Sequence, residues 1–69
     1  MATRVFTAVL HQEGNIFVAE CPEVGTVSQG DTIDEAVSNL REATELYLEE
    51  FPLPEAGRTL ITTFEAISA

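Results

Sequence analysis

The sequence predicts an α+β domain with the element order β-β-β-α-β, on three observations. Three short runs rich in β-branched and aromatic residues come first, each closed by turn-forming residues. One amphipathic stretch follows, opened by a helix-capping signal and stopped by Pro52. A further β-rich run lies beyond it.

The first strand is expected over Thr3 to His11, ending at the turn cluster Gln12-Glu13-Gly14-Asn15. Ile16 to Cys21 forms the second, stopped by Pro22, so the pair reads as a hairpin with a loop of about four residues. Val24 to Gln29 is a shorter third strand, ended by Gly30-Asp31. Alternation places Phe6, Ala8 and Leu10 on one face of the first strand, and Val5, Thr7 and Val9 on the other. In the second, Ile16 and Val18 oppose Phe17, Ala19 and Cys21. Both faces of the sheet therefore carry apolar side chains, unlike a sheet with one wet face.

The helix begins at a capping box. Thr32 is the cap, its hydroxyl accepting the backbone N–H of Glu35, while the Glu35 carboxylate reaches back. Ile33, Ala36, Val37, Leu40, Ala43, Thr44, Tyr47, Leu48 and Phe51 then recur at helical spacing. Asp34, Glu35, Glu42, Glu45 and Glu49 occupy the opposite side, with Leu46 standing among the glutamates. Leu53-Pro54-Glu55-Ala56-Gly57 reads as a linker, and Thr59 to Ile67 as a fourth strand. The helix would cross one face and return that strand parallel to an earlier one, by a right-handed connection. A single helix cannot cover both faces of a four-stranded sheet, which points to a homodimer or a higher homo-oligomer.

Charge narrows the function. The 69 residues hold twelve acids against Arg4, Arg41 and Arg58, a net charge of −9 with His11 neutral. Direct nucleic-acid binding and attachment to an anionic membrane both need clustered cations, so neither is expected. An acidic surface of this strength attracts a basic partner. With 45% apolar residues the chain is globular rather than a disordered acidic tail, and its length suits one domain. Cys21 stands alone, so no internal disulfide is possible, and one Cys with one His make a closed zinc site unexpected. Neither a signal peptide nor an apolar run of membrane-spanning length is visible, and a lone cysteine suits a reducing compartment; a cytoplasmic protein is expected.

No catalytic constellation is read from the residues, and no cofactor or metal is expected. Cys21 and His11 could be cross-strand neighbours, but nothing orients the imidazole or supplies an oxyanion hole. Glu20, Asp31 and Asp34 could form a carboxylate cluster only if the fold brings them together, and the expected first strand contains no acid. No phosphate-binding glycine motif occurs. The remaining candidates are partner contacts on the outer helix face: Glu42, Glu45, Leu46 and Glu49.

The run Glu20-Cys21-Pro22-Glu23-Val24-Gly25-Thr26-Val27-Ser28-Gln29-Gly30-Asp31-Thr32 leads straight into Ile33-Asp34-Glu35-Ala36-Val37 and on through Glu45-Leu46-Tyr47-Leu48-Glu49-Glu50. It resembles the HicB-like antitoxin family: a strand, a proline–acid turn, a Ser/Thr-Gln-Gly-Asp/Glu-Thr segment and a helix finishing in Glu-Leu-Tyr-Leu-Glu. The turn is one residue shorter than in many relatives, Val24 being followed directly by Gly25. The resemblance implies a partly degraded ribonuclease H-like sheet with one covering helix, serving as a protein-binding module. It also implies a partner, a small basic HicA-like toxin that cleaves mRNA and is blocked by occlusion. A single HicB-like domain over residues 1–69 is expected, without the C-terminal DNA-binding domain of longer relatives. An alternative expectation is a stand-alone oligomeric structural or regulatory module with no toxin partner.

Overall fold

A computed structural model of the chain describes residues 4–52 and 58–68. Strands β1 (Val9–Glu13), β2 (Ile16–Cys21) and β3 (Thr26–Gly30) form an antiparallel sheet in the order β1-β2-β3, and helix α1 (Ile33–Glu50) packs on one face of it. The α+β class with three strands followed by one helix is as the sequence predicts.

The β1–β2 connection is tighter than expected. Glu13 pairs with Ile16, leaving only Gly14 and Asn15 in the loop. Gly14 has φ +62° and Asn15 has no positive φ, the pattern of a type II′ hairpin turn. β1 consequently runs to Glu13 rather than His11, and it begins at Val9 rather than Thr3. Its late start has a cause in β2. The register that sets Val9 opposite Glu20 carries Thr7 opposite Pro22, which has no N–H to give a ladder. At the other end of β2, Gly25 (φ +95°) closes a turn in which the N–H groups of Val24 and Gly25 both donate to the Cys21 carbonyl, at 3.3 and 2.7 Å. That turn absorbs Val24 and Gly25, so β3 starts at Thr26.

The register sorts the side chains as alternation requires. Leu10, Ala19 and Ser28 share the helix-facing side, as do Phe17 with Gly30 and Cys21 with Thr26. Val9, Glu20 and Val27 share the open side, where Val9 and Val27 are exposed. The sheet thus carries apolar residues on its uncovered face.

Ala19, Cys21, Ala36 and Leu40 form the buried core, fringed by Phe6, Ala8, Leu10, Phe17 and Val24. Small residues at the contact let the helix lie close to the sheet. Gly30 sets the closest approach: a Cβ there would stand 2.6 Å from the Ala36 amide nitrogen and 2.7 Å from the Glu35 Cβ. Buried Thr44 is satisfied by a 2.7 Å hydroxyl–hydroxyl bond to Thr26. Asn39 Nδ2 donates to the Gln29 carbonyl at 2.9 Å, tying the helix to β3.

The cap forms as the sequence predicts at Thr32, whose Oγ1 accepts from the Glu35 N–H at 3.0 Å. The reciprocal bond lands one residue earlier than in a standard capping box, on the Asp31 N–H at 3.3 Å. α1 ends at Glu50, with the Phe51 N–H bonded to the Tyr47 carbonyl and Pro52 forbidding another turn.

Two expectations are corrected. Residues 58–68 form no strand and are exposed throughout, so the fourth strand and the right-handed return are absent among the described residues. High β-propensity reports fitness for a pleated surface and supplies no partner edge. β1 is therefore an edge strand of the described sheet. The helix stripe is correspondingly only half covered: Ala36, Leu40 and Thr44 are buried, whereas Ile33, Val37, Tyr47 and Phe51 are exposed. Tyr47 and Phe51 instead stack on each other, centroids 4.9 Å apart. The expected linker at 53–57 and the start of the expected first strand lie outside the described residues.

Candidate functional site

The outer face of α1 gathers the four residues picked out from the sequence. Glu42, Glu45, Leu46 and Glu49 lie at spacings of three, one and three, and together line a shallow surface depression of about 370 Å³. Leu46 is 66% exposed. The three carboxylates have no ion-pair partner among the described residues, where the pairing found is His11 Nε2 with Glu13 Oε2 at 2.8 Å. Glu49 and Glu50 also occupy the last turn of α1, which holds no basic residue. That end of a helix carries partial negative charge and disfavours acids. The first-turn acids differ. Asp34 and Glu35 sit where the dipole favours them, and the Glu35 carboxylate is engaged with the Asp31 N–H.

Adjoining the depression, a groove of about 910 Å³ runs between the helix and residues 4–8, with an apolar floor of Phe6, Ala8, Cys21, Leu40 and Leu48 and a charged lining that includes Arg4, Arg41 and the Glu45 and Glu49 shared with the depression. Glu23 pins the wall of this groove. Its carboxylate accepts the Thr7 N–H at 3.0 Å, the Thr7 hydroxyl at 2.6 Å and the Cys21 thiol at 3.4 Å. The Thr7 hydroxyl bond is the main reason the Glu23 carboxyl is lowered to about 2, against an opposing effect of desolvation. The Thr59 hydroxyl adds to the lowering, so the segment after the helix passes close by. Glu23 was not singled out as a site residue from the sequence. An acid directly after the proline that ends β2 is the signal that could have found it.

The Cys21–His11 pairing does not occur. His11 pairs with Val18 on the open side, whereas Cys21 pairs with Thr26 on the helix side. The thiol is buried, and burial chiefly pushes its pKa up, which keeps it protonated. Nor are Glu20, Asp31 and Asp34 gathered: Glu20 is on the open face and the two aspartates are at the helix start. Among the described residues no three His, Cys, Asp or Glu side chains are placed to share a metal ion. β1 does carry one acid, Glu13, because it extends to the hairpin turn. No described helix is long and apolar enough to cross a membrane.

The fold and site define a small acidic β-β-β-α module that presents a glutamate-lined helix face. The chain belongs to the UPF0150 family. It is 41% identical over 49 residues to the UPF0150 protein ssr1258 of Synechocystis sp., covering 70% of this chain and 71% of that protein. To the UPF0150 protein ssr1765 of the same organism it is 46% identical over 46 residues, 64% of this chain and 58% of the relative's length. No family model matches the chain, and no solved structure matches it.

Proposed function

We propose that this chain is a non-enzymatic, cytoplasmic, antitoxin-like binding module that neutralises a small basic HicA-type mRNA-cleaving toxin by covering it. The observation that carries the reading is the acidic face itself: Glu42, Glu45 and Glu49, unpaired among the described residues, surround exposed Leu46. Glu49 stays there although the helix dipole disfavours it, as expected where charge serves recognition rather than stability. An apolar anchor ringed by charge also matches the anatomy of a protein interface. The net charge of −9 supplies long-range steering toward a cationic partner, and the resemblance of residues 20–50 to HicB-like antitoxins names the class of that partner.

The test is binding of a purified HicA-like toxin by calorimetry, alongside its mRNA cleavage. The wild-type chain is expected to bind and to stop cleavage. Joint replacement Glu42→Lys, Glu45→Lys and Glu49→Lys is expected to weaken binding about 100-fold or more, since juxtaposed like charges cost several kcal/mol. Absence of wild-type binding, or full binding by the triple variant with its helix intact, would overturn the reading.

A second reading, a stand-alone oligomeric module without a toxin, is favoured by a different observation. Val9 and Val27 on the open sheet face, and Leu60, Ile61, Phe64 and Ile67 beyond the helix, are all exposed.

A further inference from the structure

Residues 4–8 lead into β1 and belong to no strand ladder. Phe6, Ala8 and Leu10 all pack against the core, the two-residue period of a strand. Thr7 aims its N–H back across the end of β2 at Glu23. In an extended chain successive N–H and C=O groups point to opposite sides, so those of Phe6, Ala8 and Leu10 face outward, away from β2. The strand order β1-β2-β3 leaves that outer side open. Beside it lies the 910 Å³ apolar groove under α1.

The same chain holds a segment with the properties needed to fill both. Thr59 to Ile67 has strand composition yet joins no strand ladder among the described residues, its Thr59 hydroxyl alone reaching Glu23. Leu60, Thr62, Phe64 and Ala66 would share one side of a strand, and Ile61 and Ile67 the other. Phe64 is 88% exposed and Ile67 fully so.

We infer that this segment is donated to a second copy of the chain. Residues 59–67 of one copy add to the outer edge of residues 4–13 of the other. Leu60 and Phe64 enter the partner's groove, and Ile61 and Ile67 lie beside its Val5 and Val9. Exchange is reciprocal about a two-fold axis, the closed arrangement that leaves no donor or acceptor over.

Surface area favours a second copy as the occupant. The chain exposes 5981 Å², whereas a folded monomer of its 7.5 kDa mass exposes about 4,200 Å². The excess is about twice the roughly 800 Å² that each partner of a standard interface buries. Its radius of gyration is 13.9 Å against about 11 Å for a compact chain of this length. In the single chain Thr59 reaches Glu23, but Leu60, Ile61, Phe64 and Ile67 beyond it stay exposed and the groove stays open. The inference does not depend on the toxin reading, because it concerns only contacts between identical chains.

Light scattering and amide hydrogen exchange on the full chain test it together. The wild type is expected near twice 7.5 kDa, with the Phe6, Ala8 and Leu10 amides protected. Phe64→Asp, at a position exposed in the single chain, is expected to keep the helix signal in circular dichroism while becoming monomeric and losing that protection. Ala8→Pro removes an outward N–H and is also expected to be monomeric. Mixing the two variants restores a dimer only if segments pass between chains, since an Ala8→Pro chain still donates and a Phe64→Asp chain still accepts. A monomeric wild type with protected amides would mean the segment closes on its own chain, and would overturn the proposal. So would a dimer that survives Phe64→Asp, which would place the contact on the open sheet face or at Leu46.

Discussion

Glu23 holds together three parts of the chain that the sequence keeps apart. Its carboxylate receives both polar groups of Thr7 and the Cys21 thiol, and the Thr59 hydroxyl stands near it. Glu23→Gln keeps the size but removes the charge that strengthens those bonds, and is expected to cost about 1–2 kcal/mol in urea unfolding at pH 7. The pH dependence has a definite sign. The folded-state value of about 2 lies below the ordinary carboxyl value of 4.5. The carboxylate therefore stabilises the fold fully above pH 4.5, and that contribution fades as pH falls toward 2. Wild type and Glu23→Gln should converge in stability across that window. Gly30 acts through bulk rather than charge. A Cβ would meet helix backbone at 2.6 Å, so Gly30→Ala is expected to destabilise by about 1–3 kcal/mol, or more if the helix cannot shift. Thermal unfolding of that variant checks the close approach of α1 to β3.

At the scale of elements, α1 begins well and ends badly. Its first turn has the Thr32 cap and two acids at the favourable pole, while its last turn has glutamates and no cation. Glu50→Lys, outside the four-residue depression, is expected to stabilise the chain by about 0.3–1 kcal/mol and to leave the proposed toxin binding nearly unchanged. A drop in the unfolding midpoint would show that Glu50 has a role in holding the fold. What could be read in advance follows the range of the forces involved. The helix start was legible because Thr32 and Glu35 are three residues apart, and β2 because Pro22 punctuates it. The face assignments of Phe6, Ala8, Leu10, Phe17 and Ala19 were legible for the same reason, since alternation is local. The bounds of β1 were not, because they depend on Pro22 across the hairpin and on Gly14 adopting a left-handed φ. The fourth strand was misjudged because pairing depends on an edge elsewhere, which residue preference at 59–67 does not encode. Glu42, Glu45, Leu46 and Glu49 were found because a helix gathers neighbours at three and four residues by itself. Glu23 was missed because its partner Thr7 is 16 residues away.

At the scale of the molecule, four of the described residues form the buried apolar core, with Thr44 the buried polar member among them, which is a small core for a domain to rest on. Chains with so small a core gain stability from association. The melting temperature is accordingly expected to rise by several degrees when protein concentration is raised about 100-fold, as mass action requires when folding and assembly are coupled. A midpoint independent of concentration would assign all the stability to the single chain. The exposure of residues 58–68 then bears on how long the protein lasts in a cell. Exposed segments outside packed structure are where proteases cut, and removing this one would delete Leu60, Ile61 and Phe64 at a stroke. If the segment is exchanged as proposed, a paired copy hides it and a solitary copy presents it. Survival would then depend on abundance: a scarce pool is degraded quickly, a plentiful one persists, and the molecule reports its own concentration as a half-life.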